Sequence, residues 1–134
     1  MNITNFDDLL QAARHQVEPQ RLLFVFAKAD LPSDSTPAQR EHFSAGQGGA
    51  LVPVMCVDKT PAELLTFADL ARESLQFGHE WRIVFAAALS GTGGLAPSSE
   101  DAEKPLQRMV EAIKAGNLGT FIPLDEQGQA VVLG

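Results

Sequence analysis

Cysteine is nearly absent: Cys56 is the only one in 134 residues. A single thiol excludes an internal disulfide and any zinc cluster built on cysteines. Positive charge is scarce as well. Ten lysines and arginines stand against 17 aspartates and glutamates, a formal net charge of −7. Nucleic-acid phosphates need a basic stripe and anionic lipid attracts basic clusters, so neither nucleic acid nor membrane is an expected partner. No apolar run approaches the ~20 residues that span a bilayer. The opening Met1–Asp8 has neither the basic nor the apolar region of a secretory signal. These absences predict a cytoplasmic protein.

What is present is the composition of a globular chain: 45% hydrophobic and 20% charged. The length suits a single domain over residues 1–134. Asn5 is a good N-cap for a first helix, with Asp7 and Asp8 at its positive end. Phe6, Leu9, Leu10, Ala13 and Val17 share one helical face, and Pro19 closes it. The run Arg21–Ala27 is continuously apolar after its arginine, the pattern of a strand covered on both faces. Residues 30–49, rich in proline and serine around Pro32–Pro37, read as a long loop with a short helix starting at Thr36.

A second strand, Ala50–Val57, contains Pro53. Proline cannot sit in a fully paired ladder, so this strand is an edge or carries a bulge. Thr60-Pro61-Ala62-Glu63 is a capping box for a helix that runs to Gly78. The third strand, Ile83–Leu89, is again continuously apolar. After Ser90-Gly91-Thr92-Gly93-Gly94 comes a helix with Ala102, Leu106, Met109, Val110 and Ile113 on one face. Pro105 places its first turn near Ala102–Lys104. Two apolar segments flank Asp125–Gln129 and predict a C-terminal β-hairpin.

Strands alternating with helices predict an α/β layered sandwich. With right-handed crossovers, the expected sheet is mostly parallel, in the order 2-1-3 followed by the hairpin, with helices on both faces. Such a sheet binds ligands where connections diverge beyond the carboxyl ends of its strands. That rule nominates Lys28 and Asp30 after the first strand, and Ser90 and Thr92 after the third.

The glycine-rich turn is the most suggestive motif, because its N–H groups could face an anion. It matches neither the dinucleotide nor the phosphate-loop pattern. Glu100, Asp101 and Glu103 follow it, and one carboxylate ~6 Å from a phosphate charge costs roughly 3 kcal/mol at an effective dielectric of 20. The turn therefore reads as a flexible connection, suited if anything to a neutral or cationic group. Cys56 has no histidine near it in sequence and reads as a buried, inert thiol. His15, His42 and His79 form no metal-spacing pair. The carboxylate clusters lie at helix starts, where capping explains them. No catalytic residue, metal or cofactor is assigned.

The segments Pro19–Phe26, Gly48–Lys59 and Pro105–Gly116 resemble a small proteobacterial family of about this length, and the resemblance covers essentially the whole chain. Its members are often labelled "ribonucleotide reductase subunit alpha". That activity implies a radical-bearing cysteine and a redox-active cysteine pair on a much larger barrel. One cysteine contradicts it, and the resemblance supplies no site residues.

Two readings follow. The first is a non-catalytic binding or regulatory domain whose partner is a second copy or another protein, met through the edge strand or the Asp30–Gly49 loop. The alternative is a small enzyme or small-molecule sensor with its pocket at Lys28, Asp30, Ser90 and Thr92.

Overall fold

The apolar run Leu22–Ala27 has no polar face to show to water, and the chain buries it on both sides. In the computed structural model, which describes residues 3–30, 37, 50–64, 66–76 and 81–131, it forms the middle of strand β1 (Gln20–Asp30). Strand β2 (Ala50–Lys59) pairs with one side of β1, and β3 (Ile83–Ser90) with the other. A short β4 (Ile122–Leu124) adds to β3, so the sheet reads β2-β1-β3-β4. Every pairing is antiparallel.

That polarity overturns the mostly parallel sheet expected from the sequence. Continuous hydrophobicity reports that both faces of a strand are covered, not which way its neighbours run. β2 and β3, joined through a helix, do run parallel to one another. They lie on opposite sides of β1, which runs the other way between them.

Alternation along β1 sorts the core into two halves. Leu22, Phe24 and Phe26 point to the face covered by α1 (Phe6–Arg14) and α2 (Phe67–Gln76), where they meet Phe6, Leu9, Leu10, Leu64 and Leu70. Leu23, Val25 and Ala27 point to the opposite face and meet Ala102, Leu106, Met109 and Ile113 of α3 (Ser99–Lys114). Fully burying one such Leu or Phe side chain contributes about 1.5–3 kcal/mol.

Helix starts follow the capping chemistry. Asn5 accepts the Asp8 N–H at 2.9 Å to begin α1. Ser98 and Asp101 exchange the two bonds of a capping box at the start of α3. α3 begins at Ser99 rather than near Ala102, with Pro105 inside it. The lost N–H costs α3 one bond, and its apolar stripe on the sheet holds the helix through that point. α1 stops at Arg14, which leaves Val17 fully exposed rather than on the apolar face. The Thr60 capping box starts only a 3-10 turn, Pro61–Glu63, and α2 begins anew at Phe67. Leu64 is buried at the break between them, so its packing outweighs continuation of the helix. The short helix expected from Thr36, and the Gly78 stop, lie outside the described residues.

Pro53 sits where the sequence required. β2 is the last strand on its side among the described residues, and its register against β1 shifts beside Pro53, between Phe26 and Ala27. Bonds from the Gly91 N–H to the Pro19 carbonyl and from the Arg82 N–H to the Ala27 carbonyl show that odd-numbered residues of β1 face β3. Even-numbered ones face β2, so Val57 and Met55 turn their backbone groups inward and Cys56 and Asp58 turn theirs outward. Past the bulge the parity reverses, and Pro53 presents its missing N–H to the outer side.

The C-terminal turn closes the fold. Asp125 accepts the N–H groups of Gln127 and Gln129, and the Phe6 N–H donates to the Gly128 carbonyl at 2.8 Å. Gly128 has φ +79 and lies against the Phe67 ring, so glycine is needed there on two counts.

Candidate functional site

The four residues nominated by the parallel-sheet argument do not converge. Gln20 lies opposite Ser90, while Lys28 is eight residues further along β1. At ~3.4 Å per residue that separates the Lys28 and Ser90 ends of the sheet by about 27 Å. Asp30 goes with Lys28, and its side chain lies outside the described residues; Thr92 goes with Ser90. A pocket formed jointly by the carboxyl ends of β1 and β3 needs parallel strands, and the antiparallel sheet removes it.

Ser90 and Thr92 belong to a different arrangement. Thr92 and Leu95 exchange backbone bonds at 3.0 and 3.1 Å across Gly93 and Gly94, both at positive φ. This is a two-residue hairpin turn, for which a Gly-Gly pair suits the backbone. The Gly94 N–H donates to the Glu18 carboxylate at 2.8 Å, and the Gly91 N–H donates to the Pro19 carbonyl at 2.8 Å. The turn expected to be a flexible connection is thus a bonded one. A protein carboxylate already holds the N–H that an anion would use, which closes the phosphate reading from inside the fold.

Around this end of the sheet lies a shallow groove of about 360 Å³, bounded by the end of α1, the start of β1, the Thr60–Ala62 turn and Ala96. Its floor is mostly apolar: Ala13, Pro19, Pro61 and Ala62. The polar groups at its margin are committed within the molecule. The Arg14 guanidinium donates to the carbonyls of Pro61 and Leu64 at 3.3 and 3.4 Å. The Gln20 amide donates to the Glu18 carbonyl and to the Ser90 hydroxyl, each at 3.0 Å. Thr60 bonds to Glu63.

The densest polar cluster sits on the other face, where β1, β2 and α3 meet. Arg21 donates to Asp58 at 2.6 Å and to the Pro97 carbonyl at 2.7 Å, and Ser99 donates to the same Asp58 oxygen. Both side chains of the ion pair are mostly shielded, at 13% and 18% exposure. The arrangement joins two strands to the first turn of a helix, and its hydrogen bonds offset the cost of shielding the charges. On the opposite face Lys59 pairs with Glu73 at 2.9 Å, tying β2 to α2. Among the described residues, no three His, Cys, Asp or Glu side chains lie close enough together to hold a metal ion.

Cys56 departs from expectation in one respect: its side chain is exposed, not buried. Its thiol is nevertheless pushed above its ordinary pKa, first by desolvation against the strand and then by the Asp58 charge. At neutral pH it is protonated and a poor nucleophile.

β2 as a whole is the other unusual surface. Leu51, Val52, Pro53, Val54, Met55, Cys56 and Val57 are apolar without interruption, and none of the seven is buried. Edge strands are ordinarily guarded by outward charges. The two charged residues of β2, Asp58 and Lys59, are instead paired with Arg21 and Glu73. No sequence pattern announced this, because inward pairing of Asp58 and Lys59 depends on residues 37 and 14 positions away. Among the described residues, no helix is long and apolar enough to cross a membrane. Compared with protein-family models, curated proteins and solved structures, the chain matches none.

Proposed function

We propose that this chain is a cytoplasmic, non-catalytic binding or regulatory domain that acts through protein–protein contacts along β2. The observation that carries the reading is the half-exposed apolar run Leu51–Val57 at a sheet edge, with its neighbouring charges spent inward. An edge of this kind offers backbone groups to an added strand and apolar side chains to its neighbours. The outward groups of Cys56 and Asp58 are the natural place for that addition. Pro53 and the bulge interrupt it on the other side, which limits an incoming strand to a short segment.

The resemblance to proteins labelled as a reductase subunit fits this reading only as an accessory role. The experiment is capture of partners from native lysate with wild-type protein and with Cys56→Lys. Cys56 is exposed, so the lysine leaves the core untouched and places a charge on the edge. Partners held by wild type and lost with Cys56→Lys are the expected result. Equal capture by both proteins, or none by either, refutes the proposal.

A further inference from the structure

Two large apolar side chains stand in water at the Ser90 end of the sheet: Val17 is 99% exposed and Leu95 is 76% exposed. They belong to one surface. Gln16 and Glu18, on either side of Val17, line the groove, as does Ala96 beside Leu95. The Glu18–Gly94 bond ties the two segments together. The result is a patch with two apolar projections at the rim of an apolar hollow. Single exposed apolar residues are ordinary on a protein surface, but projections grouped around an apolar groove mark an interaction site.

We infer that this patch is where a second copy of the chain docks, in a two-fold symmetric contact. Projection and hollow on one surface are what an isologous interface requires, since each copy supplies both halves of the fit. The charges agree. Arg14 and Glu18, of opposite sign, both border the groove, so their charges offset one another at the patch. Two molecules that each carry a net charge of −7 repel over most of their surfaces, and they can approach only where charge cancels locally. Other occupants fit less well. The Gly91 and Gly94 N–H groups are already bonded, which leaves an extended peptide no ladder to join. The amide and hydroxyl groups that would orient a small molecule are likewise taken.

This inference stands apart from the β2 reading and is tested separately. Sedimentation equilibrium across two decades of concentration should show a monomer–dimer equilibrium for the wild type. Val17→Asp and Leu95→Asp should each weaken dimerisation about tenfold or more, with an unchanged melting temperature for the monomer, because neither side chain is packed. Arg14→Glu, which makes the patch acidic, should weaken it too. A wild type that is monomeric throughout overturns the inference. So does a dimer that survives both aspartates but is lost with Cys56→Lys, which would move the contact to β2.

Discussion

Ser74 is a fully buried polar residue in α2, and its hydroxyl holds one end of the only tryptophan in the chain. The hydroxyl donates to the Ala71 carbonyl and accepts the Trp81 indole N–H at 2.7 Å. That bond fixes a ring which stacks edge-on against Phe26 at 5.0 Å and Phe67 at 6.1 Å. Ser74→Ala removes the acceptor and leaves the indole donor in a largely apolar setting. A buried donor without a partner costs about 1–3 kcal/mol, whereas the Ala71 carbonyl loses only a secondary contact. For an m value of about 2 kcal/mol/M in urea, the denaturation midpoint falls by roughly 0.5–1.5 M.

The chain has no tyrosine, so Trp81 fluorescence reports the transition without interference. Trp81→Phe, followed by circular dichroism, removes donor and acceptor demand together. Combining it with Ser74→Ala should cost less than the sum of the single changes. The reasoning is refuted if Ser74→Ala unfolds within about 0.3 kcal/mol of wild type, or if the two substitutions add.

Gly91→Ala should destabilise by about 1–3 kcal/mol or more, because the new Cβ overlaps the backbone carbonyl oxygens of Leu95 and Pro19. Gly119→Ala, which meets nothing within 4 Å, should stay within about 0.5 kcal/mol of wild type; equal thermal melts for the two would refute this. Glu63 is held below its ordinary value of 4.5 by the Thr60 N–H and then its hydroxyl, and Asp8 below its value of 3.8 by the Thr4 hydroxyl and N–H. Depressed carboxyl pKa values contribute stability that is complete above the ordinary values and is lost as pH falls through the folded ones. Glu63→Gln with Asp8→Asn should therefore flatten the acid limb of melting temperature against pH, and an unchanged limb would contradict the bonding described. Cys56, exposed but with a raised pKa, should react slowly with a disulfide reagent at neutral pH and faster in Asp58→Asn, whose charge no longer opposes the thiolate. Rapid reaction of the wild type at pH 7 would count against that environment.

Much of the layering was legible in the residues. Phe24 and Val25 announced a strand covered on both faces, and Pro53 announced an edge or a bulge. The start of α3 was less legible, because Pro105 points to a first turn near Ala102 while the Ser98 capping box sets it at Ser99. Strand direction was not legible, because Leu22–Ala27 reads the same whether its neighbours run with it or against it. The candidate site drawn from that direction failed with it: Lys28 and Ser90 share a sheet but not an end. The break at Leu64 was hidden because a capping box specifies where a helix starts, not how far it continues. The Gly93-Gly94 pair did carry a hairpin signal, masked by its resemblance to an anion loop. Glu18, 76 residues before Gly94, is the group that settles the turn, and no local pattern connects the two.

The central place of β1 also has a consequence for synthesis. β1 is the first strand made, yet its partner in β3 follows up to 70 positions later, as with Gln20 and Ser90. The side chains that cover its second face, Ala102 to Ile113, come later still. Until they emerge, Leu23, Val25 and Ala27 lack the helix that covers them, and a nascent chain holds an apolar strand open to misassociation. The strand that ends as the most protected part of the molecule is, on the ribosome, one whose second cover arrives late.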